Sequence, residues 1–272
     1  MLPTVLWMLS LETTALAATP PAPLEAIVVS VYDGDTVTLD TGDKVRLRWV
    51  NTPELKPAEA YGIEARDAAR ELLLNKKVTL VYGQVQRDGY GRLIAGIRTL
   101  EGEDLSEHLL SLGYGHLFVI PPDDTDLGRL MSAQEKARQG RRGIWSDERY
   151  QGELHITSFH ANANGDDRQN PNGEYLRVCN VSSRPIDLQG FRLTDISGDS
   201  WELPSLVLPA GNTVKLISGR GTDQTDPASQ LEIYLQTDGP VWNNSRDRAT
   251  LYDRYGKVVD ARDHAPKSFS ER

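Results

Sequence analysis

The stretch 26–50, AIVVSVYDGDTVTLDTGDKVRLRWV, contains three strand-like segments separated by turn residues. The first segment is apolar and β-branched, and the second alternates apolar with polar side chains. Thr41-Gly42-Asp43 has the composition of a hairpin turn, and Pro53 is expected to end the third strand because proline has no N–H to donate to a sheet. The stretch therefore predicts strands at 26–32, 36–40 and 45–50.

Helical spacing and further strand patterns follow this stretch. Residues 58–75 place Ala65, Ala69 and Leu72 on one face, which indicates an amphipathic helix. Strands are predicted at 78–82 and 93–97, a short helix at 105–112 ending at Gly113, and a helix at 127–139 with Asp126 as its N-cap. Five strands with about three interspersed helices predict a small closed barrel of the OB type.

After residue 151 the helical spacing disappears, and short strand patterns alternate with Gly, Asp and Asn turns. This alternation predicts an all-β sandwich. Its strands are expected at 154–159, 175–179, 191–194, 213–217, 231–235, 249–252 and 257–259. The chain as a whole is predicted to be mainly β, with a signal peptide and Pro-rich linker (1–23), the barrel (24–150), the sandwich (151–264) and a C-terminal tail (265–272).

The N-terminus carries a short apolar run, MLPTVLWMLSLETTALAA, followed by a Pro-rich linker. Ala15-Leu16-Ala17 matches an export cleavage site, which predicts a secreted or periplasmic protein cut after Ala17. Glu12 and the lack of Lys or Arg before the run leave two alternatives, a mis-assigned start or a disordered tail. No later run of about 18 residues is apolar and uncharged, so no spanning membrane segment is expected after the N-terminus.

Charge and cysteine content exclude some classes of protein. The formal net charge of the 272 residues is −9, with 17 basic against 21 acidic residues in 24–150 and 13 against 17 in 151–272. Neither half is therefore a basic surface for tight non-specific DNA binding. Cys179 is the single cysteine, which excludes an intrachain disulfide and a multi-thiolate zinc site. Its strand pattern leaves open whether the thiol is half-buried or exposed.

Four polar motifs interrupt the barrel pattern: DGD at 33–35, Arg46 in an otherwise apolar strand, NTPE at 51–54, and RDGYGR at 87–92. Each alone is typical of a turn, a helix cap or a solvent-facing side chain. Together they suit phosphodiester cleavage, because Asp35, an oxygen at position 51 and a backbone carbonyl are hard ligands for Ca²⁺. Two arginines can bind phosphate oxygens, and a glutamate can accept a proton from water. A structural ion-pair network is the alternative.

The segments VYDGDTV, VRLRWVNTPEL, YGIEA, RDGYGR and GIW, in this order over about 24–145, resemble the staphylococcal-nuclease (thermonuclease) family. The resemblance implies a Ca²⁺ cofactor, with other divalent ions as alternatives. It also implies a DNA or RNA substrate that is cleaved with little sequence preference. The implied metal ligands are Asp35, Asn51 and the main-chain carbonyl of Thr52.

The resemblance also assigns roles around the scissile phosphate. It implies that Glu54 is the general base or orients the attacking water, and that Arg46 and Arg92 bind the phosphate. Tyr90 matches the nucleotide-stacking tyrosine, with packing on the barrel as its alternative.

Asn51 departs from the family pattern, which has aspartate at this position. Asparagine keeps a ligating oxygen but removes one negative charge, which implies weaker Ca²⁺ binding or a different preferred ion. The competing hypothesis is a catalytically weak or inactive nucleic-acid-binding or scaffold module, because a barrel of OB type is also a binding surface.

The segments NGEYLRVCN, IDLQGFRLTD, LPAGNTVKL and WNNSRDRATLYDRYGKVVD resemble a lamin-tail domain, which is an immunoglobulin-like β-sandwich. The resemblance implies an attachment or targeting role. A net charge of −4 favours an unknown protein or envelope partner over DNA.

Structural roles are predicted for His108, His116, His155 and His160, which show no metal-ligand spacing.

Overall fold

The computed structural model describes residues 24–56, 58–123, 125–146, 150 and 152–264. The predicted signal peptide and linker (1–23) and the predicted C-terminal tail (265–272) lie outside the described residues. Within the described ranges, no helix has both the length and the apolar character needed to cross a membrane.

Strands and three helices alternate in the described part of the first half. They are β1 Leu24–Val31, β2 Thr36–Leu39, β3 Lys44–Leu47, β4 Trp49–Asn51, α1 Gly62–Leu73, β5 Lys77–Arg87, β6 Leu93–Thr99, α2 Leu105–Leu112, β7 His116–Phe118 and α3 Gly128–Gln139. Five of these strands close into a barrel in the order β1-β2-β3-β6-β5, and β4 pairs with β7. The predicted five-stranded barrel with three helices is thus confirmed.

The barrel core follows from the alternation of the strands. In β3, Val45 and Leu47 are buried inside the barrel, whereas Arg46 between them points to the other side. The predicted apolar face of α1 covers one end of the barrel through Ala65, Ala69 and Leu72. The apolar residues of β3 and the apolar face of α1 therefore lie in the core, and Arg46 is directed out of it.

The predicted third strand, 45–50, is wrong in one respect, because the structure breaks it at Arg48 into β3 and β4. Trp49 has a φ of 67°, in the left-handed region that L-residues rarely adopt. Its ring lies against Gly96, where a Cβ would come within 2.8 Å, and its Nε1–H donates to Oδ2 of Asp123 at 2.7 Å. These tertiary contacts fix a bend that the local sequence pattern does not show.

The helix starts also differ from the predicted ones. Helix α1 begins at Gly62 rather than 58, after Tyr61 in a left-handed conformation. Helix α3 begins at Gly128, so Leu127 rather than Asp126 is the N-cap residue. Asp126 still accepts the Gly128 N–H at 3.0 Å, but from one position before the observed N-cap. Gly113 ends α2 as predicted, with a φ of 74°.

The second half is built from short strands. They are β8 Leu154–His160, β9 Tyr175–Asn180, β10 Ile186–Asp187, β11 Arg192–Thr194, β12 Ser200–Glu202, β13 Val207–Leu208, β14 Thr213–Ile217, β15 Leu231–Tyr234, β16 Asp247–Tyr252 and β17 Val258–His264. Two four-stranded sheets, β15-β14-β9-β8 and β12-β11-β16-β17, share one apolar core, and β10 pairs with β13. The predicted sandwich is confirmed.

The two halves pack directly against each other. Ile144 and Trp145 of the first half share a buried cluster with Cys179 and Val181 of the second. Backbone pairing crosses the contact, since the Val119 N–H donates to the Gly211 carbonyl at 2.8 Å. The Cys179 thiol is fully buried and donates to the Leu117 carbonyl at 3.2 Å, which settles its exposure.

Candidate active site

A cleft of about 830 Å³ opens where the outward-facing side of β3 meets the turns before β2 and β6. Residues from separate segments of the chain line it together. Six of the seven site residues expected from the sequence are among them: Asp35, Arg46, Asn51, Glu54, Tyr90 and Arg92. The seventh, Thr52, is buried behind the wall of the cleft.

Thr52 holds Asp35 in place. Its N–H donates to Oδ2 of Asp35 at 2.8 Å, and its hydroxyl donates to the same oxygen at 3.1 Å. Thr36 donates its hydroxyl to the other carboxylate oxygen of Asp35 at 3.2 Å. Gly34 allows this close packing, because a Cβ there would lie 2.7 Å from Thr52 and 2.8 Å from Ala65. Asp35 is therefore a fixed carboxylate at the base of the cleft.

Arg46 joins the two sides of the site. One guanidinium nitrogen donates to the carbonyls of Leu47 and Val50, each at 2.6 Å. The other lies 2.9 Å from Oδ1 of Asn51 and 3.2 Å from Oδ2 of Asp35. The bend at Arg48 makes this possible, since it brings the Val50 carbonyl and Asn51 back towards Arg46.

Asp33 and Glu54 add two further carboxylates to the cleft, and each has a raised pKa. Burial and the neighbouring charge of Asp35 raise the pKa of Asp33 from 3.8 to about 7. Burial and the charges of Asp35 and Glu59 also raise the pKa of Glu54. The charge of Asp35 therefore acts on both carboxylates in addition to burial. Asp33 is part of the DGD motif, but nothing in the local sequence distinguishes its buried carboxyl from that of an ordinary turn aspartate.

Arg92 and Tyr90 come from the turn before β6 and lie on the outer side of the cleft. Arg92 donates through Nε to Oδ2 of Asp88 at 2.7 Å. Its guanidinium carbon is 5.6 Å from the ring centre of Tyr90, whose side chain is 85% exposed. Arg92 and Tyr90 both line the cleft, and the exposed ring of Tyr90 is available for stacking.

The oxygen donors suit a hard divalent cation. Oδ2 of Asp35, Oδ1 of Asn51 and the Thr52 carbonyl belong to adjacent groups, and the Asn51 amide nitrogen is 3.5 Å from that carbonyl. After burial, the charge of Asp35 is the main cause of the raised pKa values of Asp33 and Glu54, and a cation would offset that charge. The described residues contain no group of three or more His, Cys, Asp or Glu side chains that could hold a metal. A metal here would therefore be held by at most two such side chains, with amide, carbonyl and water oxygens completing its shell.

One wall of the cleft comes partly from the sandwich, which the sequence patterns do not predict. Phe118, whose ring centre lies 5.8 Å from the guanidinium carbon of Arg46, forms part of it. The sandwich supplies Thr157, Ser158 and Arg177. The alternation in YLRVCN directs Arg177 away from the sandwich core, but no local signal indicates what that outer face contacts.

Comparison with known proteins agrees with this architecture. The family model described as "Staphylococcal nuclease homologue" matches residues 44–147, and the one described as "Lamin Tail Domain" matches residues 148–265. An uncharacterized endonuclease of Escherichia coli is 33% identical over 127 residues, which cover 46% of this chain and 80% of that protein. The chain belongs to the staphylococcal nuclease homologue family.

Two further relatives extend the comparison. The thermonuclease of Staphylococcus hyicus is 34% identical over 127 residues, covering 44% of this chain and 75% of that protein. Endonuclease YhcR of Bacillus subtilis is 30% identical over 139 residues, covering 45% of this chain and 11% of that protein. Membership of the family makes the chain a nuclease-type hydrolase, and the lamin-tail match confirms the resemblance found for the second half.

The histidines lie outside this chemistry. His116 is fully buried, and burial lowers its pKa to about 3. Its ring meets that of His155 edge-on at 5.4 Å across the contact between the two domains. His155 in turn is 2.7 Å from Oδ2 of Asp260. These positions agree with the structural roles predicted for both residues.

Proposed function

We propose that this nuclease is an exported, metal-dependent enzyme that hydrolyses phosphodiester bonds of DNA and RNA with little sequence preference, with Ca²⁺ as its ion. The observation that carries the proposal is the convergence of Asp35, Arg46, Asn51, Glu54, Tyr90 and Arg92 in one cleft. These residues come from four separate segments, and only the fold brings them together.

Asp35, Asn51 and the Thr52 carbonyl are the proposed metal ligands. A divalent ion at these oxygens would supply positive charge beside the scissile phosphate. Thr52 also fixes the Asp35 carboxylate through two hydrogen bonds, so the orientation of the ligand does not depend on the ion. The buried N–H groups and hydroxyls of this turn act as the supporting shell.

Glu54 is the proposed general base. Its raised pKa makes the carboxylate a better proton acceptor than an ordinary glutamate. Its position in the cleft, next to the loop that carries Asn51, allows it to take a proton from water that attacks phosphorus. That proton transfer turns water into the nucleophile.

Arg46 and Arg92 are the proposed phosphate-binding residues. Both line the cleft, Arg46 fixed by two backbone carbonyls and Arg92 by Asp88. Guanidinium groups can donate two parallel hydrogen bonds to phosphate oxygens and stabilise the charge that develops on them. The exposed ring of Tyr90 is placed to stack on a neighbouring base.

A second candidate function follows from Asn51. Its Oδ1 accepts a hydrogen bond from Arg46, and the residue lacks the charge of an aspartate. If the site binds metal too weakly, the domain is a nucleic-acid-binding or scaffold module. For the lamin-tail domain we propose an attachment or targeting role with a protein or envelope partner.

The test is digestion of single-stranded DNA by purified residues 18–272 with Ca²⁺, Mg²⁺, Mn²⁺ or chelator. Glu54→Gln is assayed in parallel, with Glu64→Gln as the matched control because Glu64 is exposed on α1 outside the cleft. Metal-dependent products that disappear only in Glu54→Gln support the nuclease. A folded protein that binds the strand without metal and yields no products with any ion supports the binding module.

A further inference from the structure

Arg177 of the lamin-tail domain lines the same cleft as Arg46. It lies in β9 between Leu176 and Val178, which are both buried in the sandwich core. The alternation of the strand therefore puts Arg177 on the outer face of the sheet, where the nuclease domain packs.

The guanidinium of Arg177 has only neutral partners. One terminal nitrogen donates to Oε1 of Gln230 and, at 3.3 Å, to the hydroxyl of Thr213. Across all residues that the structure describes, its Nε and second terminal nitrogen have no hydrogen-bond acceptor, and no carboxylate lies within ion-pair distance. The nearby acid Glu232 is already paired with Lys215 at 3.1 Å.

Burial disfavours the charged form of the Arg177 guanidinium. Burial lowers the pKa of Arg177, because a partly buried cation loses hydration that its amide and hydroxyl partners replace only in part. A cation with free N–H donors on the wall of a cleft favours an anion as its missing partner.

Contacting residues connect Arg177 to the scissile-phosphate region. Arg46 lies over the ring of Phe118, at 5.8 Å from its centre. The next residue, Val119, accepts a hydrogen bond through its carbonyl from the Thr213 hydroxyl at 3.3 Å, and Thr213 also holds Arg177. The two arginines are thus set in one packed wall that crosses from one domain to the other.

We propose that Arg177 binds a second backbone phosphate of the nucleic-acid strand, outside the scissile one, so that the lamin-tail domain forms part of the substrate site. The inference rests on the proposed nuclease function. The net negative charge of the lamin-tail domain does not oppose it, because the acid nearest to Arg177 is neutralised by Lys215. The occupant is an extended strand with at least two phosphodiester groups.

The test measures binding, so that it does not depend on turnover. The full-length protein is titrated against a fluorescent single-stranded 12-mer in chelator, over a series of salt concentrations. Arg177→Gln is expected to weaken binding about tenfold and to reduce the slope of log Kd against log salt by about 0.7, the contribution of one phosphate contact on a single strand. Arg177→Lys keeps the positive charge and is expected to keep most of the slope.

The control variant is Arg248→Gln. Arg248 pairs with Asp263 at 3.0 Å in the other sheet, so the substitution removes the same charge away from the cleft. It is expected to leave both the affinity and the salt slope at wild-type values, and thermal melts verify that every variant is folded.

Kinetics add a second readout with bis(p-nitrophenyl) phosphate, which has a single phosphodiester. Arg177→Gln is expected to raise KM for the 12-mer without lowering kcat, and to leave hydrolysis of the small substrate unchanged. An unchanged affinity and salt slope in Arg177→Gln would overturn the proposal, as would equal losses in Arg177→Gln, Arg177→Lys and Arg248→Gln. A wild-type protein that binds the 12-mer but cleaves nothing would refute the nuclease function, whereas the binding titration would still decide the role of Arg177.

Discussion

A buried carboxylate of the lamin-tail domain and a pair of carboxylates in the nuclease cleft have opposite surroundings. In the lamin-tail domain, Asp247 accepts three backbone N–H groups, those of Asn243 at 2.7 Å, Ile196 at 3.1 Å and Arg248 at 2.7 Å. In the nuclease domain, the carboxylates of Asp33 and Asp35 lie close enough to repel each other.

The pKa values of Asp260 and of two cleft carboxylates shift in opposite directions. Burial alone would raise the pKa of Asp260 in the lamin-tail domain, but hydrogen bonds from His155 and from two backbone N–H groups hold it below its ordinary value. Asp33 and Glu54 are shifted upwards. Asp260 is held by hydrogen-bond donors, whereas the charge of Asp35 adds to the effect of burial at Asp33 and Glu54, and such perturbed carboxylates in a cleft are typical of a functional site.

The largest expected effect is a loss of activity, and it distinguishes Glu54 in the cleft from Asp247 in the lamin-tail domain. Glu54→Gln is expected to lower kcat by about 10³-fold, because it removes the proton acceptor, while its unfavourable surroundings leave thermal stability unchanged or higher. Asp247→Asn is expected to do the reverse, costing about 1–3 kcal/mol of unfolding free energy with kcat unchanged. Single-turnover rates and thermal melts check both. Near-wild-type cleavage by Glu54→Gln would remove Glu54 from the mechanism.

The next effect compares two arginine–aspartate pairs within the nuclease domain. Arg92→Ala is expected to lower kcat by about 10²–10³-fold, because a preorganised donor to the transition-state phosphate is lost. Arg98→Ala is the matched control, since Arg98 pairs with Asp104 at 3.2 Å outside the cleft. Steady-state kinetics on the same oligonucleotide measure both variants, and equal losses would show that neither arginine contacts the reacting phosphate.

A smaller effect concerns the pH dependence of stability in chelator. The pKa of Asp33 is about 7 in the fold and near 3.8 in the unfolded chain, so the folded state binds the extra proton between these values. The free energy of unfolding is therefore expected to fall as pH rises from about 4 to 7, by on the order of 3 kcal/mol. Urea titrations of wild type and Asp33→Asn measure this, and the variant is expected to lose that slope.

The pH dependence of stability expected from Asp260 has the opposite sign to that expected from Asp33. Its folded pKa lies below the unfolded value, so its contribution is present above the unfolded pKa and is lost as pH falls below it. Asp260→Asn is expected to reduce stability at neutral pH and to remove part of the loss at acid pH. If both variants showed the same pH trend, the contrast between the two domains would be wrong.

The smallest expected effect is on the metal site. Asn51→Asp adds a negative charge beside Asp35 and is expected to lower the Ca²⁺ concentration for half-maximal cleavage about tenfold. Titration of initial rates with Ca²⁺ and Mg²⁺ measures it. A site that binds the ion no better with aspartate at position 51 would show that this residue is not a ligand.

Much of the nuclease domain could be predicted because its signals are local. Alternation in β1 to β3, the turn at 41–43 and Gly113 at the end of α2 are properties of neighbouring residues. The clustering of the polar motifs was inferred from residue types suited to one chemistry, and the cleft contains them. The role of Thr52 is only partly predicted. The family resemblance assigns it a role through its carbonyl, whereas its N–H and hydroxyl also hold Asp35.

The remaining features depend on contacts between distant segments. The left-handed Trp49 depends on Gly96 and Asp123, which are 47 and 74 positions away. The raised pKa of Asp33 depends on burial, which composition does not give. The contribution of Arg177 to the cleft depends on how the two domains pack, and the sequence pattern of β9 shows only that the side chain points outwards.

The thiol of the buried Cys179 can report when the two domains separate. Its sulfur is covered by the carbonyls of Leu117 in one domain and Gly211 in the other. As the only thiol in the chain, it reacts with a small electrophile only in those moments when the domains part or the protein unfolds. The labelling rate therefore counts these openings directly, and any slowing by an added oligonucleotide would reveal a strand that fastens the two domains together.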